Sequence, residues 1–252
     1  MDPRLRARRI AVSRRRGRHR LRYVLAVAGL AALCALALLV LHTSMFSAQH
    51  LKVRGTVHTP VATVLAVAGL AGHPPLVDVN PGLDSRRIEQ LPWIANAIVE
   101  RRWPDSVTVV VTERVPVATL PAEGGGVAVV DRSGRVLERE TQAPAGTVAL
   151  LVAAKAGPPG SVLPVGATGA LDVARSLPGS LLSRVRVVSS EPGGGVNLGL
   201  AGGQQVVLGS PSKLDEKFEA LESLLAANVL TGPASVDLTV PDQPIVTAGS
   251  PG

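Results

Sequence analysis

The chain passes through three textures of hydrophobic and polar positions. Basic and polar residues dominate up to Arg22, an uncharged apolar run follows from Tyr23 to Leu41, and short apolar stretches separated by turn residues fill the rest. At about 1.5 Å per residue, a helix over the central run is ~28 Å long, close to the hydrocarbon thickness of a bilayer. This predicts one transmembrane helix, bounded at 23–43, with Tyr23 and Phe46 near the two interfaces. Ala28, Ala32 and Ala35 fall on one helical face, which fits either packing against a partner helix or the chain's general richness in alanine.

Beyond the apolar run, Leu51 and Val53 alternate in a short strand that ends at Gly55. Thr59-Pro60 then opens a helix, since Thr is a good N-cap and Pro suits the first helical position. Val61, Val64, Leu65 and Ala68 repeat at helical spacing and predict a core-facing stripe, ended by Gly72 and Pro74-Pro75. Leu76 to Val79 reads as a short extended piece. Asp84 is expected to cap a second helix that buries Ile88 and Leu91 and stops at Pro92. Strands are predicted at Ala97–Trp103 and Val107–Val115 around a Pro104-Asp105 turn, with Val107, Val109 and Val111 on the inner face. The order strand, helix, helix, strand, strand makes residues 46–115 a small α+β domain with Val61, Val64, Leu65, Ile88, Val109 and Val111 in its core.

After Pro116 the pattern becomes short strands between glycine clusters, predicting a mixed, β-rich domain over 116–248. Asp131-Arg132-Ser133-Gly134 is a hairpin signal between Val127–Val130 and Arg135–Glu138. Further strands are expected at Val148–Val152, Val185–Val188, Val196–Leu200 and Gln205–Leu208, with a short helix at Thr168–Leu177. A longer amphipathic helix begins at Ser210-Pro211, with Leu214, Phe218, Leu221 and Leu225 inward and Lys213, Asp215, Glu216 and Glu222 outward. The last strand is expected near Val236–Val240, resuming at Ile245–Thr247, before a disordered tail at 249–252.

Charge changes this picture in one respect. Of the net +7, all the basicity sits in residues 1–22, which hold ten arginines against the single acid Asp2; the remainder has 16 basic and 18 acidic residues. The positive-inside rule places residues 1–22 in the cytoplasm and the domains beyond the membrane outside it. A cleaved signal peptide is the competing reading, but Ser47-Ala48 makes a poor cleavage site. The tail shows no capped amphipathic helix and the neutral body has only five aromatics in 252 residues with its tail, so sequence-specific nucleic-acid binding is not expected. Orientation in the membrane and contact with anionic inner-membrane lipids both fit the tail.

No catalytic constellation stands out. The five histidines lie at or before His73 without metal-ligand spacing, the single cysteine Cys34 allows no intrachain disulfide, and the triple-glycine runs precede strands as turns do. No cofactor or metal is expected, and the chain reads as non-enzymatic. A membrane-anchored envelope enzyme or another assembly protein of the same domain type stays as the alternative.

In order and spacing, these residues resemble the FtsQ/DivIB family of bacterial cell-division proteins. Phe46, Leu51, Val53 and Gly55 resemble its opening strand. Leu91-Pro92-Trp93, Ala97-Ile98-Val99 and Arg102-Trp103-Pro104 resemble its most recognisable stretch, and VVVTERVPVA at Val109–Ala118 its Glu-Arg-x-Pro-x-Ala strand. Val130-Asp131 with Gly134 and Val136, Leu208-Gly209 with Lys217, and Val236-Asp237-Leu238 resemble parts of its β domain. The Pro/Gly-rich stretch 141–182 resembles little. Arginine outnumbers lysine 22 to 4, which suits a GC-rich, actinobacterium-like source.

The resemblance implies a POTRA domain (β-α-α-β-β) followed by the family's β domain, in a single-pass protein of the plasma membrane concentrated at the division septum. It implies a divisome scaffold that bridges early cytoplasmic division proteins to septal peptidoglycan synthesis, with FtsB and FtsL as partners and FtsW and FtsI beyond them. In that family a segment of FtsB is received by strand addition at the C-terminal end, which marks Val236, Leu238, Val240, Ile245, Val246 and Thr247 as candidate partner-binding residues. From the residues alone, the last strand is expected at a sheet edge, where Pro241 and Pro244 would serve equally well to blunt it.

Overall fold

The structure, a computed structural model, describes residues 3–230 and 232–248, with side chains from Arg22 to Thr247. The tail expected at 249–252 lies outside the described residues. Helix α1 runs from Pro3 to Leu41. The arginine-rich segment is therefore helical and continuous with the apolar span. Arginine is a good helix former, and the long apolar segment supplies the nucleus from which the helix extends. Its apolar part, Arg22–Leu41, is long and apolar enough to cross a membrane, and none of it is buried.

Past α1, a 3-10 turn at Ser44–Phe46 leads into β1 (His50–Arg54), α2 (Val61–Val67), α3 (Pro81–Ile88), β2 (Ile94–Arg102) and β3 (Ser106–Glu113). These strands form a three-stranded sheet in the order β1-β3-β2, with β1 parallel to β3 and Leu51 and Val53 in register with Val107 and Val109. Strict alternation along β3 buries Val107, Val109 and Val111, while Thr108, Val110 and Thr112 line the other face. This is the expected order of strand, two helices and two strands.

Individual positions depart from expectation. Val64 and Ile88 are fully buried, but Val61 is exposed and Leu65 only half-buried. Helix α2 has only seven residues and begins at Val61, so that residue has no preceding turn to hold it inward. The cap of α3 is Asn80 rather than Asp84: the Asn80 side chain accepts the Leu83 N–H at 3.1 Å, and Asp84 reaches back to accept the Asn80 N–H at 3.0 Å. That reciprocal arrangement starts the helix at Pro81, in the position proline favours. Strand β2 begins at Ile94, three residues earlier than the pattern suggested.

The second sheet has nine strands, in the order β12-β11-β10-β9-β8-β7-β4-β5-β6. Its members are β4 (Pro116–Pro121), β5 (Val127–Asp131), β6 (Val136–Glu140), β7 (Val148–Leu151), β8 (Val185–Ser190), β9 (Val196–Leu200), β10 (Gln205–Gly209), β11 (Ala234–Asp237) and β12 (Ile245–Ala248). Helices α4 (Thr168–Ser176), α5 (Gly179–Leu182) and α6 (Leu214–Ala226) contribute to its core, where Leu171, Leu181, Phe218 and Leu221 meet Leu120, Val148, Val188, Leu198, Val206 and Val236. By compactness the chain divides into two units. One comprises Met1–Arg54, Pro60–Arg87 and Ile98–Val110; the other comprises Gly55–Thr59, Ile88–Ala97 and Val111–Gly252.

Candidate partner-binding edge

The chain's last strand is the end of the nine-stranded sheet. β12 pairs antiparallel with β11, setting Asp237 opposite Ile245, Val236 opposite Val246 and Ser235 opposite Thr247. Opposed residues of an antiparallel pair share a face. Val246 therefore lies on the core side with the fully buried Val236, and Ile245 and Thr247 lie on the outer side with Asp237 and Ser235. On its far side β12 has no neighbouring strand among the described residues, so backbone groups along it are unpaired there.

Burial separates the six candidate residues into two sets. Val236 and Leu238 are wholly buried, and the Leu238 N–H donates to Val207 O at 2.8 Å, so these two side chains hold the sheet together and are not a contact surface. Val240, Ile245, Val246 and Thr247 are exposed; Ile245 is 63% exposed. Pro241 and Pro244 lie in the connection between β11 and β12, outside the strand, and so do not blunt its edge. The connection turns where the Asp237 carboxylate accepts the Thr239 N–H at 2.8 Å, and the side-chain and backbone bonds from Thr239 hold the Asp237 carboxyl below the usual carboxylate range.

Behind this edge, α6 carries a charge into the core. Lys217 is 1% exposed and its ammonium donates to Leu208 O at 2.6 Å and Ser210 O at 2.9 Å, closing off the end of β10. Burial pushes its pKa down, partly offset by the nearby charge of Asp237. Helical periodicity from Leu214 to Leu225 gives no sign of this, because it identifies only the apolar members of the buried face. Gln204 donates to Leu230 O at 3.3 Å and Gly232 O at 3.0 Å, fixing the connection from α6 into β11. Among the described residues, no group of three His, Cys, Asp or Glu side chains could hold a metal ion.

Comparison with known proteins decides the family. The description "POTRA domain, FtsQ-type" matches residues 46–114, and "Cell division protein FtsQ/DivIB, C-terminal" matches residues 118–239. The chain belongs to the FtsQ/DivIB family. It is similar to the cell division protein FtsQ of Streptomyces griseus, with 33% identity over 73% of this chain and 89% of that protein. FtsQ of Streptomyces collinus is 30% identical over 90% of this chain and 89% of that protein. FtsQ of Mycolicibacterium smegmatis is 29% identical over 84% of this chain, which spans 60% of that protein's length. A member of this family with an N-terminal apolar helix, a POTRA domain and a β-rich domain, similar to actinobacterial relatives, is thus the frame for the edge described above.

Within that frame, the FtsQ-type Glu-Arg-x-Pro-x-Ala segment proves to be a set of long-range ties that sequence reading recognised but assigned no role. Glu113 accepts the backbone N–H groups of Val57, His58 and Thr59 at 2.9–3.0 Å and lies 3.0 Å from the His58 ring Nδ1. Burial pushes its carboxyl up, but the His58 and Thr59 N–H groups, the His58 ring and the Val57 N–H outweigh it and lower the pKa to about 2. His58 stacks on Trp93 with ring centroids 3.9 Å apart, and Trp93 shares a small core with Val129 and Leu137. Arg114 donates to Asp131 at 2.7 Å and to Ile94 O at 3.1 Å, while Asp131 also accepts the Ser133 and Arg135 N–H groups. Gly55 closes the same region at φ +88°, with Val111 O where a Cβ would stand, so only glycine fits.

Proposed function

We propose that this chain is a non-enzymatic divisome scaffold that captures a segment of a small bitopic division protein, FtsB with its partner FtsL, by strand addition on β12. The capture takes place outside the cytoplasm: the arginine-rich residues 1–22 stay inside, the apolar part of α1 spans the plasma membrane at the septum, and the POTRA (46–115) and β (116–248) domains project outward. Held there, the partners link early cytoplasmic division proteins to the septal synthesis machinery of FtsW and FtsI.

The observation that carries the reading is an edge strand with no charged residue and, among the described residues, no covering strand, at the end of a nine-stranded sheet, in a chain of this family. Strand addition takes its affinity from backbone hydrogen bonds and its specificity from alternate side chains, here Ile245 and Thr247 on one face and Val246 on the other. Ile245→Glu should abolish binding of an FtsB segment in a titration while circular dichroism stays unchanged. Undiminished affinity in the folded variant would move the contact elsewhere. The orientation is tested separately, since protease added to intact spheroplasts should digest everything beyond α1.

A further inference from the structure

At the end of the POTRA sheet nearest the membrane helix, apolar and basic groups converge. Phe46 is the fifth residue past the end of α1, and its ring packs edge-on against Trp103, with centroids 6.1 Å apart and planes at 62°. Trp103 sits at the tip between β2 and β3 and is 52% exposed, and the neighbouring Met45 is 71% exposed. The same tip is tied to the start of β1, because the His50 N–H donates to Asp105 O at 3.1 Å. His42, one residue past α1, lies 3.4 Å from the Asp78 carboxylate, which holds this end of the domain close to the helix.

Beside the tip, the solvent face of the sheet forms a concavity of about 440 Å³ lined by His50, Lys52, Arg54, Arg102, Asp105 and Thr108. Its charge is unevenly matched. Asp105 is engaged by His50 at 3.1 Å and by the Ser106 hydroxyl at 2.9 Å, and Arg102 meets Glu100 at 3.4 Å. Lys52 and Arg54 have no acidic partner among the described residues. From His50 to Arg54 the strand rises only ~13 Å, so the whole basic column begins at the level of the tip and stays near it.

We infer that this end of the POTRA sheet is a membrane-docking site: Trp103 and Met45 enter the interface, and Lys52, Arg54 and Arg102 take the phosphate of an anionic phospholipid in the outer leaflet. The assignment rests on the membrane-anchored reading of α1. Its chemistry follows from three things together. Tryptophan favours the interface because its ring is apolar and its N–H needs a polar partner. Basic side chains close to a membrane surface are drawn to anionic headgroups. The connection from α1 to Phe46 is five residues, too short to carry the tip far from the headgroups it would meet. Docking would fix the tilt of the POTRA sheet on the membrane in place of free swinging about the end of α1.

The test uses the full chain in nanodiscs, with Trp103 as reporter and Trp103→Phe as the subtraction control for Trp93. With brominated phosphatidylglycerol, Trp103 emission should be quenched. With brominated phosphatidylcholine, the quenching should be at least halved. Lys52→Glu/Arg102→Glu should bring the phosphatidylglycerol value down to the phosphatidylcholine value. Incorporation without quenching of Trp103 overturns the docking site and leaves the anchor intact. Equal quenching in the two lipids, or no effect of the double substitution, overturns the headgroup assignment. A chain that elutes free of lipid overturns the anchor, and the docking site with it.

Discussion

Glu113 and Arg114 show how two adjacent residues can fasten segments distant in sequence. Arg114 and Asp131 are 19% and 7% exposed, so removing the guanidinium leaves a nearly buried carboxylate with only its Ser133 and Arg135 donors. Arg114→Ala should therefore cost about 1.5–3 kcal/mol, the range for hydrogen bonds to charged groups, and lower the thermal midpoint of the detergent-solubilised protein. Arg114→Lys should recover only part of it, because an ammonium cannot bridge Asp131 and Ile94 O in the same planar geometry. Glu113 makes the stability pH-dependent in a defined direction. Its folded pKa, about 2, lies below the ordinary 4.5, so its contribution is complete above pH 4.5 and drains away as the pH falls towards 2. After screening by the surrounding water, the shift corresponds to about 1–3 kcal/mol at neutral pH. Glu113→Gln should lower stability at neutral pH and flatten the acid limb, as read by urea unfolding at neutral pH and at about pH 3. An acid limb as steep as the parent's would show that other carboxylates control it. The motif was legible in the sequence, but its role was not. The partners of Glu113 and Arg114 lie 55 and 17 residues away, beyond the reach of any local pattern.

Among the elements, α6 and β4 show where the pattern of hydrophobic and polar positions succeeds and where it fails. In α6 the apolar stripe correctly marks Phe218 and Leu221 as buried, yet Lys217, beside them on the same face, is as buried as they are. It is held there by two carbonyl oxygens that only the folded chain brings together. Lys213, expected on the solvent side of the helix, instead precedes it in a left-handed conformation, and the helix begins at Leu214 rather than near Ser210. Lys217→Ala should cost ~2–4 kcal/mol, combining lost charge-assisted bonds with a cavity. Glu219→Ala on the exposed side should change stability by no more than about 0.5 kcal/mol. Parallel thermal melts decide it, and equal midpoints would mean that the Lys217 bonds are replaced by water at no cost. β4 was missed for the opposite reason. Ala118, Thr119 and Leu120 are all buried, so no alternation marks the strand, and proline stands at both ends. A strand covered on both faces loses the period of two by which strands are read.

At the scale of the molecule, the informative feature is the difference between the two edges of the nine-stranded sheet. The last strand was expected at an edge, but which strand forms the opposite edge is not legible in the sequence, since β4 with β7, β7 with β8 and β10 with β11 are parallel pairs joined by long crossovers, and strand order is set by how those connections pack. At one edge, the Val136 N–H donates to Ser161 O and its carbonyl accepts the Gly160 N–H, both at 2.8 Å, so the start of β6 is covered. The rest of β6 carries Glu138, Arg139 and Glu140, and charge on an edge discourages another strand from pairing with it. At the other edge, β12 reads Ile-Val-Thr-Ala, with neither device. If β12 is left open because a partner strand completes it, then giving it the β6 treatment should remove binding without harming the fold. Thr247 is the place to do so: it is exposed and lies opposite Ser235 on the outer face. Thr247→Lys should leave the thermal midpoint nearly unchanged, since exposed substitutions stay within about 0.5 kcal/mol, while affinity for an FtsB segment falls at least tenfold. Replacing Glu138 and Arg139 by alanine at β6 should leave that affinity as it was, because the covered start of the strand still blocks addition there. Binding that survives Thr247→Lys but is lost in the β6 variant would place the partner on the opposite edge, and the charges of β6 would then be its recognition site.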